Sequence, residues 1–106
     1  MDEIIVYFLE DTELAEYEAV SKGYRNDVYV SVSNTLYSII VYDIVRLQQD
    51  FESELEQYGY YSIEPNLVLV KEVSKENIHL TVKELNEQKY FDNLKPVDKN
   101  SIEELI

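Results

Sequence analysis

Between Arg46 and Lys71 the chain carries five carboxylates, Asp50, Glu52, Glu54, Glu56 and Glu64, and no Lys or Arg. Asp50 and Glu54 are four residues apart, and so are Glu52 and Glu56. On a helix such like-charged pairs cost about 0.2–0.5 kcal/mol each. Glu54 and Glu56 also fall near the C-terminus of the helix predicted below, where the macrodipole disfavours anions. Local stability alone favours a lysine at one of these positions. Tyr58, Tyr60 and Tyr61 follow directly, around Gly59. Tyrosine is enriched in interface cores because it joins apolar area to a hydrogen-bonding tip. Asp50, Glu52, Glu54, Glu56, Tyr60 and Tyr61 are therefore the candidate contacts for a basic protein partner, with the charge speeding association by steering. Tyr58 falls on the apolar side of the same helix and is assigned to the core. The competing reading is that the acidity serves solubility, which a net charge far from zero provides.

Catalytic chemistry finds little to build on. The single histidine, His79, has Glu76 and Lys83 as helix neighbours and no evident nucleophile, so it reads as a surface or boundary residue. With no cysteine there is neither a thiolate nor a disulfide. No G-x-S-x-G elbow, Walker loop or glycine-rich phosphate cradle occurs. Glu10-Asp11-x-Glu13 is the nearest approach to a metal cluster, but the D-x-[DN]-x-[DN]-G spacing of a calcium loop is absent. Paired carboxylates for glycoside hydrolysis would need a cleft for which a chain with so few glycines and long loops has little room. The expectation is a binding protein without enzymatic activity, cofactor or metal.

The 106 residues hold 9 Lys+Arg against 22 Asp+Glu, a net charge of −13. Seven of the acids (Asp2, Glu3, Glu10, Asp11, Glu13, Glu16 and Glu18) precede the first Lys or Arg, at Lys22. This balance argues against nucleic acid as a partner, since phosphate neutralisation needs clustered Lys and Arg, and against anionic membrane surfaces. No apolar run approaches the roughly 18 residues of a spanning helix. The acids after Met1 do not resemble the basic start of a signal peptide, and a cytoplasmic location is expected. Ile, Leu, Val and Phe make up about a third of the chain, enough for the core of one domain over residues 1–106.

The candidate contacts need elements to position them. Ile4–Leu9 is a continuous apolar run of strand length. Residues 11–26 allow either a short helix, from Leu14, Tyr17 and Val20 at three-residue intervals, or an extended segment ending near Gly23. Val28, Val30 and Val32 alternate with Tyr29, Ser31 and Ser33 as one strand. A turn at Asn34-Thr35 and a strand over Leu36–Tyr42 complete an antiparallel hairpin. Tyr29 and Tyr37 are expected to pair on its second face. Asp43 sits at an N-cap position, and Ile44, Leu47, Phe51, Leu55 and Tyr58 then follow helical spacing, predicting a helix over 44–58 with one apolar face that Gly59 stops. Residues 60–66 form a loop, Asn66–Val73 a strand, and Ser74 caps a helix that aligns Ile78, Val82 and Leu85. Tyr90, Phe91, Leu94 and Pro96 are placed to pack back on the core. The closing SIEELI is either a helical turn or a frayed tail. The order predicts an α+β fold: an antiparallel or mixed sheet of about four strands with two helices on one face. Strand 36–42, helix 44–58 and the strand that follows form a β-α-β unit, right-handed if its strands are parallel.

The stretch LYSIIVYDIVRLQQDFESELEQYG…NLVLVKEVSKENIHLTVKELNEQ…YFDNLKP, roughly residues 36–97, resembles small immunity proteins of bacterial polymorphic toxin systems. There a strand runs into an R-L or W-L helix start, an apolar strand of L-L-I-V-E-E type follows, and a helix of W-E-x-I-x-x-x-I type comes next. The matching pieces are Arg46-Leu47, Leu67 to Glu72, and Glu76-Asn77-Ile78 with Val82. The resemblance implies an inhibitor that binds a cognate toxin domain, often a basic nuclease, and blocks its active site or groove. It carries over no catalytic or binding positions. The alternative use of the same acidity is a nucleic-acid mimic of the anti-restriction or anti-defence kind, which needs carboxylates spaced like phosphates along a continuous face.

Overall fold

The computed structural model describes residues 3–105. Met1, Asp2 and Ile106, and with them the first acid of the N-terminal run and the last residue of SIEELI, lie outside the described residues. The fold is α+β. Four strands, β1 (Ile4–Phe8), β2 (Tyr24–Val32), β3 (Thr35–Tyr42) and β4 (Leu67–Leu69), form one sheet in the order β1-β2-β3-β4. β1, β2 and β3 are mutually antiparallel, and β4 runs parallel to β3, so the sheet is mixed. Among the described residues three α-helices accompany it rather than the two expected: α1 (Glu13–Lys22), α2 (Ile44–Tyr58) and α3 (Lys75–Glu87).

The extra helix resolves the ambiguous segment 11–26. Thr12 caps it, its hydroxyl accepting from Ala15 N–H at 3.0 Å. Gly23 ends it with φ at +78°, its N–H donating to Ala19 O. The face that packs is centred on Ala19, whereas Leu14 and Tyr17 of the apolar spacing remain well exposed. β2 then starts directly at Tyr24. A bulge between Arg25 and Val28 sets one extra residue against β3, so both side chains face the core.

The main core cluster lies on one face of the sheet. Phe8, Val28, Val30, Ile39, Val41 and Val68 meet Ile78 and Val82 of α3 and Phe91 of a 3-10 turn, Tyr90–Asn93. The hairpin turn is Ser33-Asn34, one residue earlier than expected. Both residues have positive φ, the geometry that follows strand twist most closely. This register sets Tyr37 opposite Val30 on the core face, its ring 5.4 Å from Phe91. Tyr29 instead lies opposite Ser38 and Tyr7, so the expected Tyr29–Tyr37 pair does not form.

β4 is three residues long, not eight. β3 ends at Tyr42, Val70 N–H makes a last bond to Tyr42 O, and beyond that no β3 backbone remains to pair with. Val73 is buried in the core all the same. Residues 101–105 of SIEELI belong to a 3-10 segment, Lys99–Leu105, in which Ile102 is buried. No helix among the described residues is long and apolar enough to cross a membrane.

Candidate functional site: an acidic, tyrosine-lined cleft beside α2

α2 starts where β3 stops. Asp43 caps it, its carboxylate accepting from Arg46 N–H at 2.8 Å, and Asp43 N–H donates to Gly23 O at 2.8 Å. The helix therefore springs from the same point as the end of α1. Its contact with the sheet runs through Tyr42 and Tyr24, which lie opposite each other on the face away from Val41. α2 and α3 consequently address opposite faces, which corrects the expectation of both helices on one.

The turn of α2 that meets the sheet is polar. Tyr42 donates its phenol proton to Asp50 Oδ2 at 2.6 Å. Arg46, one turn earlier, brings Nε to 3.1 Å from Asp50 Oδ1 without the alignment of a hydrogen bond. Its guanidinium also lies 4.3 Å over the Tyr24 ring. Burial pushes the Tyr42 phenol up to about 12, helped by its bond to Asp50 and by that residue's charge.

Gly59, with φ at +81°, folds the chain back along α2. Tyr61 then stacks on Phe51, ring centroids 6.3 Å apart. The result is an open cleft of about 370 Å³ lined by Tyr42, Asp50, Glu54, Tyr58, Tyr60, Tyr61, Ser62 and Glu64. Tyr61 senses its field: burial first, then the charges of Asp50, Glu54 and Glu64, raise its phenol above the ordinary value. Three carboxylates face one guanidinium here. The chemistry this offers is capture of a cation, by carboxylates for charge and by phenol rings for stacking.

Of the six predicted contacts, four line this cleft: Asp50, Glu54, Tyr60 and Tyr61. Glu52 and Glu56 do not. At about 100° per residue they lie some 200° round the helix from Asp50 and Glu54, and both are exposed. Tyr42, Glu64 and Ser62 join the cleft unforeseen. Tyr42 alternates with core residue Val41, so strand periodicity already placed it on the other face; Ser62 and Glu64 carried no such signal. Tyr58, assigned to the core, is 58% exposed at the cleft rim.

His79 is exposed, with its ring edge-on to Phe8 at 5.5 Å. Asp11, from the Glu10-Asp11-x-Glu13 cluster, pairs with Lys75, which holds its carboxyl below the ordinary value. Among the described residues no three His, Asp or Glu side chains converge as metal ligands would. No family model, curated protein or solved structure matches this chain.

Proposed function

We propose that this protein is a non-enzymatic binding module that docks a basic protein surface, in the manner of an immunity protein occluding a toxin domain. The observation that carries this reading is the cleft: Asp50, Glu54 and Glu64 set among Tyr42, Tyr58, Tyr60 and Tyr61, with Arg46 paired to Asp50 beside it. Asp50 is fixed by Tyr42 and Arg46, so it offers a pre-oriented carboxylate with little side-chain entropy left to lose. Among the described residues Glu54 and Glu64 form no ion pair, and they supply the net negative field. The four helical acids divide between two sides of α2 and so make no single phosphate-like track, which favours docking of a compact cationic group over mimicry of nucleic acid.

The test compares two charge reversals of equal size. Glu54→Lys with Glu64→Lys alters the cleft; Glu52→Lys with Glu56→Lys alters the far side of α2. The probe is a nine-residue arginine peptide titrated into isotopically labelled protein and followed by amide chemical shifts. The cleft pair is expected to abolish shifts at Glu54, Tyr60, Tyr61 and Glu64, and the far-side pair to leave them in place with weaker affinity. Equal losses from both would reduce the acidity to a general field and remove the cleft from the argument.

A further inference from the structure

α2 is turned the unexpected way round. An amphipathic helix ordinarily packs its apolar stripe inward. Here the half-buried residues of α2 are Arg46, Leu47, Asp50 and Glu54. Ile44, Phe51, Leu55 and Tyr58, which define the apolar stripe with Leu47, are 55%, 43%, 42% and 58% exposed. The ion pair and the phenol bond at Asp50 fix this rotation, because they hold the acidic side of the helix against the sheet. The stripe spans the 15 residues Ile44–Tyr58, about 21 Å from end to end over 14 steps of about 1.5 Å.

The charges beside the stripe say what fits on it. Asp50 and Glu54 flank it on one side, Glu52 and Glu56 on the other, at angles set by about 100° per residue. A second copy of this chain would bring those acids against their own kind, on molecules that each carry −13. A partner with an apolar ridge bordered by Lys or Arg meets both features at once. A straight ridge of i, i+3, i+4 residues is matched by another helix packing ridge into groove. We infer that the exposed stripe of α2 is a docking seam for an amphipathic basic helix of a partner protein. This rests on the basic-partner reading above and adds the form of the partner's contacting element.

The experiment uses three synthetic peptides of equal length and equal positive charge against the full chain. The first places Leu at helical i, i+3, i+4 spacing with Lys and Arg on both flanks. The second scrambles that sequence so that no apolar face forms. The third keeps the spacing but replaces Leu with Ser. Affinity is read by calorimetry and peptide helicity by circular dichroism. The first peptide is expected to bind at least tenfold more tightly than the other two, and to gain helicity on binding. Leu55→Ser is expected to remove that advantage. So is Tyr58→Ser, at the more exposed end of the stripe, which guards against a folding defect in the first variant. Equal affinity for all three peptides, with binding still lost in Glu54→Lys with Glu64→Lys, overturns the helical seam and leaves the cleft reading standing. Absence of binding by any of the three overturns both.

Discussion

Arg25 is the one charged side chain that is buried among the described residues, at 4% exposure, and its removal provides a quantitative check on the fold. Its Nε donates to Asp27 Oδ1 at 2.7 Å, and its Nη2 donates to Glu10 O at 2.6 Å and to Asp27 Oδ2 at 3.2 Å. Nη1 makes no hydrogen bond but lies 3.8 Å from Glu16 Oε1, and the guanidinium carbon sits 4.5 Å over the Phe8 ring. One cation thus joins β1, the segment leading to α1, α1 itself and β2. Arg25→Met keeps much of the packing volume but strips Asp27 of its cation, leaving it the bond from Glu10 N–H at 2.9 Å. Removing one partner of a buried pair costs about 3–5 kcal/mol, and we take the lower end because Asp27 and Glu16 keep 16% and 32% of their side-chain exposure. About 3 kcal/mol corresponds to a fall in Tm of about 12–20 °C for a domain this size. Urea denaturation followed by circular dichroism measures it. Asp27→Leu alone is expected to cost about 2 kcal/mol, because Arg25 then loses its aligned carboxylate. The double variant should cost at least about 1.5 kcal/mol less than the sum of the singles, since both halves of the pair go together. A loss below about 1 kcal/mol for Arg25→Met, or strict additivity in the cycle, would refute the view that this pair is a structural hub.

Two further outcomes follow from local geometry. The Tyr42 phenol is raised from 10.0 to about 12 in the folded protein. A raised value means that its stabilising contribution is complete below pH 10 and is lost as the pH climbs toward 12. Phenolate absorbance should show Tyr42 among the late-titrating tyrosines, and Tyr42→Phe should delete its phase and flatten the alkaline fall in stability; an unchanged profile would exclude Tyr42 as the group responsible. The two glycines separate strain from clash. Gly59→Ala meets nothing within 4 Å and bears only the left-handed backbone cost of about 1–2 kcal/mol. Gly23→Ala adds a Cβ 2.6 Å from the Asp43 carboxylate, and displacing that N-cap loses about 1 kcal/mol more. Urea midpoints that coincide for the two variants would show that Asp43 yields freely.

Much of this architecture is legible without coordinates because it is written in short-range chemistry. The caps are examples: Asp43 and Gly59 delimit α2, and Ser74 opens α3, each through contacts within a few residues. Alternation in VYVSV predicts a strand with one apolar face, and Val28 and Val30 are indeed buried. Features that depend on a long-range partner are not written in the local sequence. VLVKEV has strand composition, yet β4 stops at Leu69 because β3 ends in the cap of α2. Tyr37 lies on the core face because a two-residue turn sets odd-numbered residues of β3 against even-numbered residues of β2, Tyr37 against Val30, so Tyr29 and Tyr37 face opposite ways.

The acidic segment shows the same division. Composition and spacing by themselves fix that residues 44–58 form an amphipathic helix, that its acids come in pairs one turn apart, and that tyrosines crowd its end. They do not fix which side of the helix faces the protein. That choice belongs to the tertiary structure, where Tyr42, Arg46 and Asp50 lock the acidic side against the sheet while Ile44, Leu55 and Tyr58 of the apolar side stay largely exposed. Helical periodicity depends on backbone geometry, which every local sequence carries. Rotation about the helix axis depends on partners that are distant in the chain, and only the folded arrangement brings them within reach.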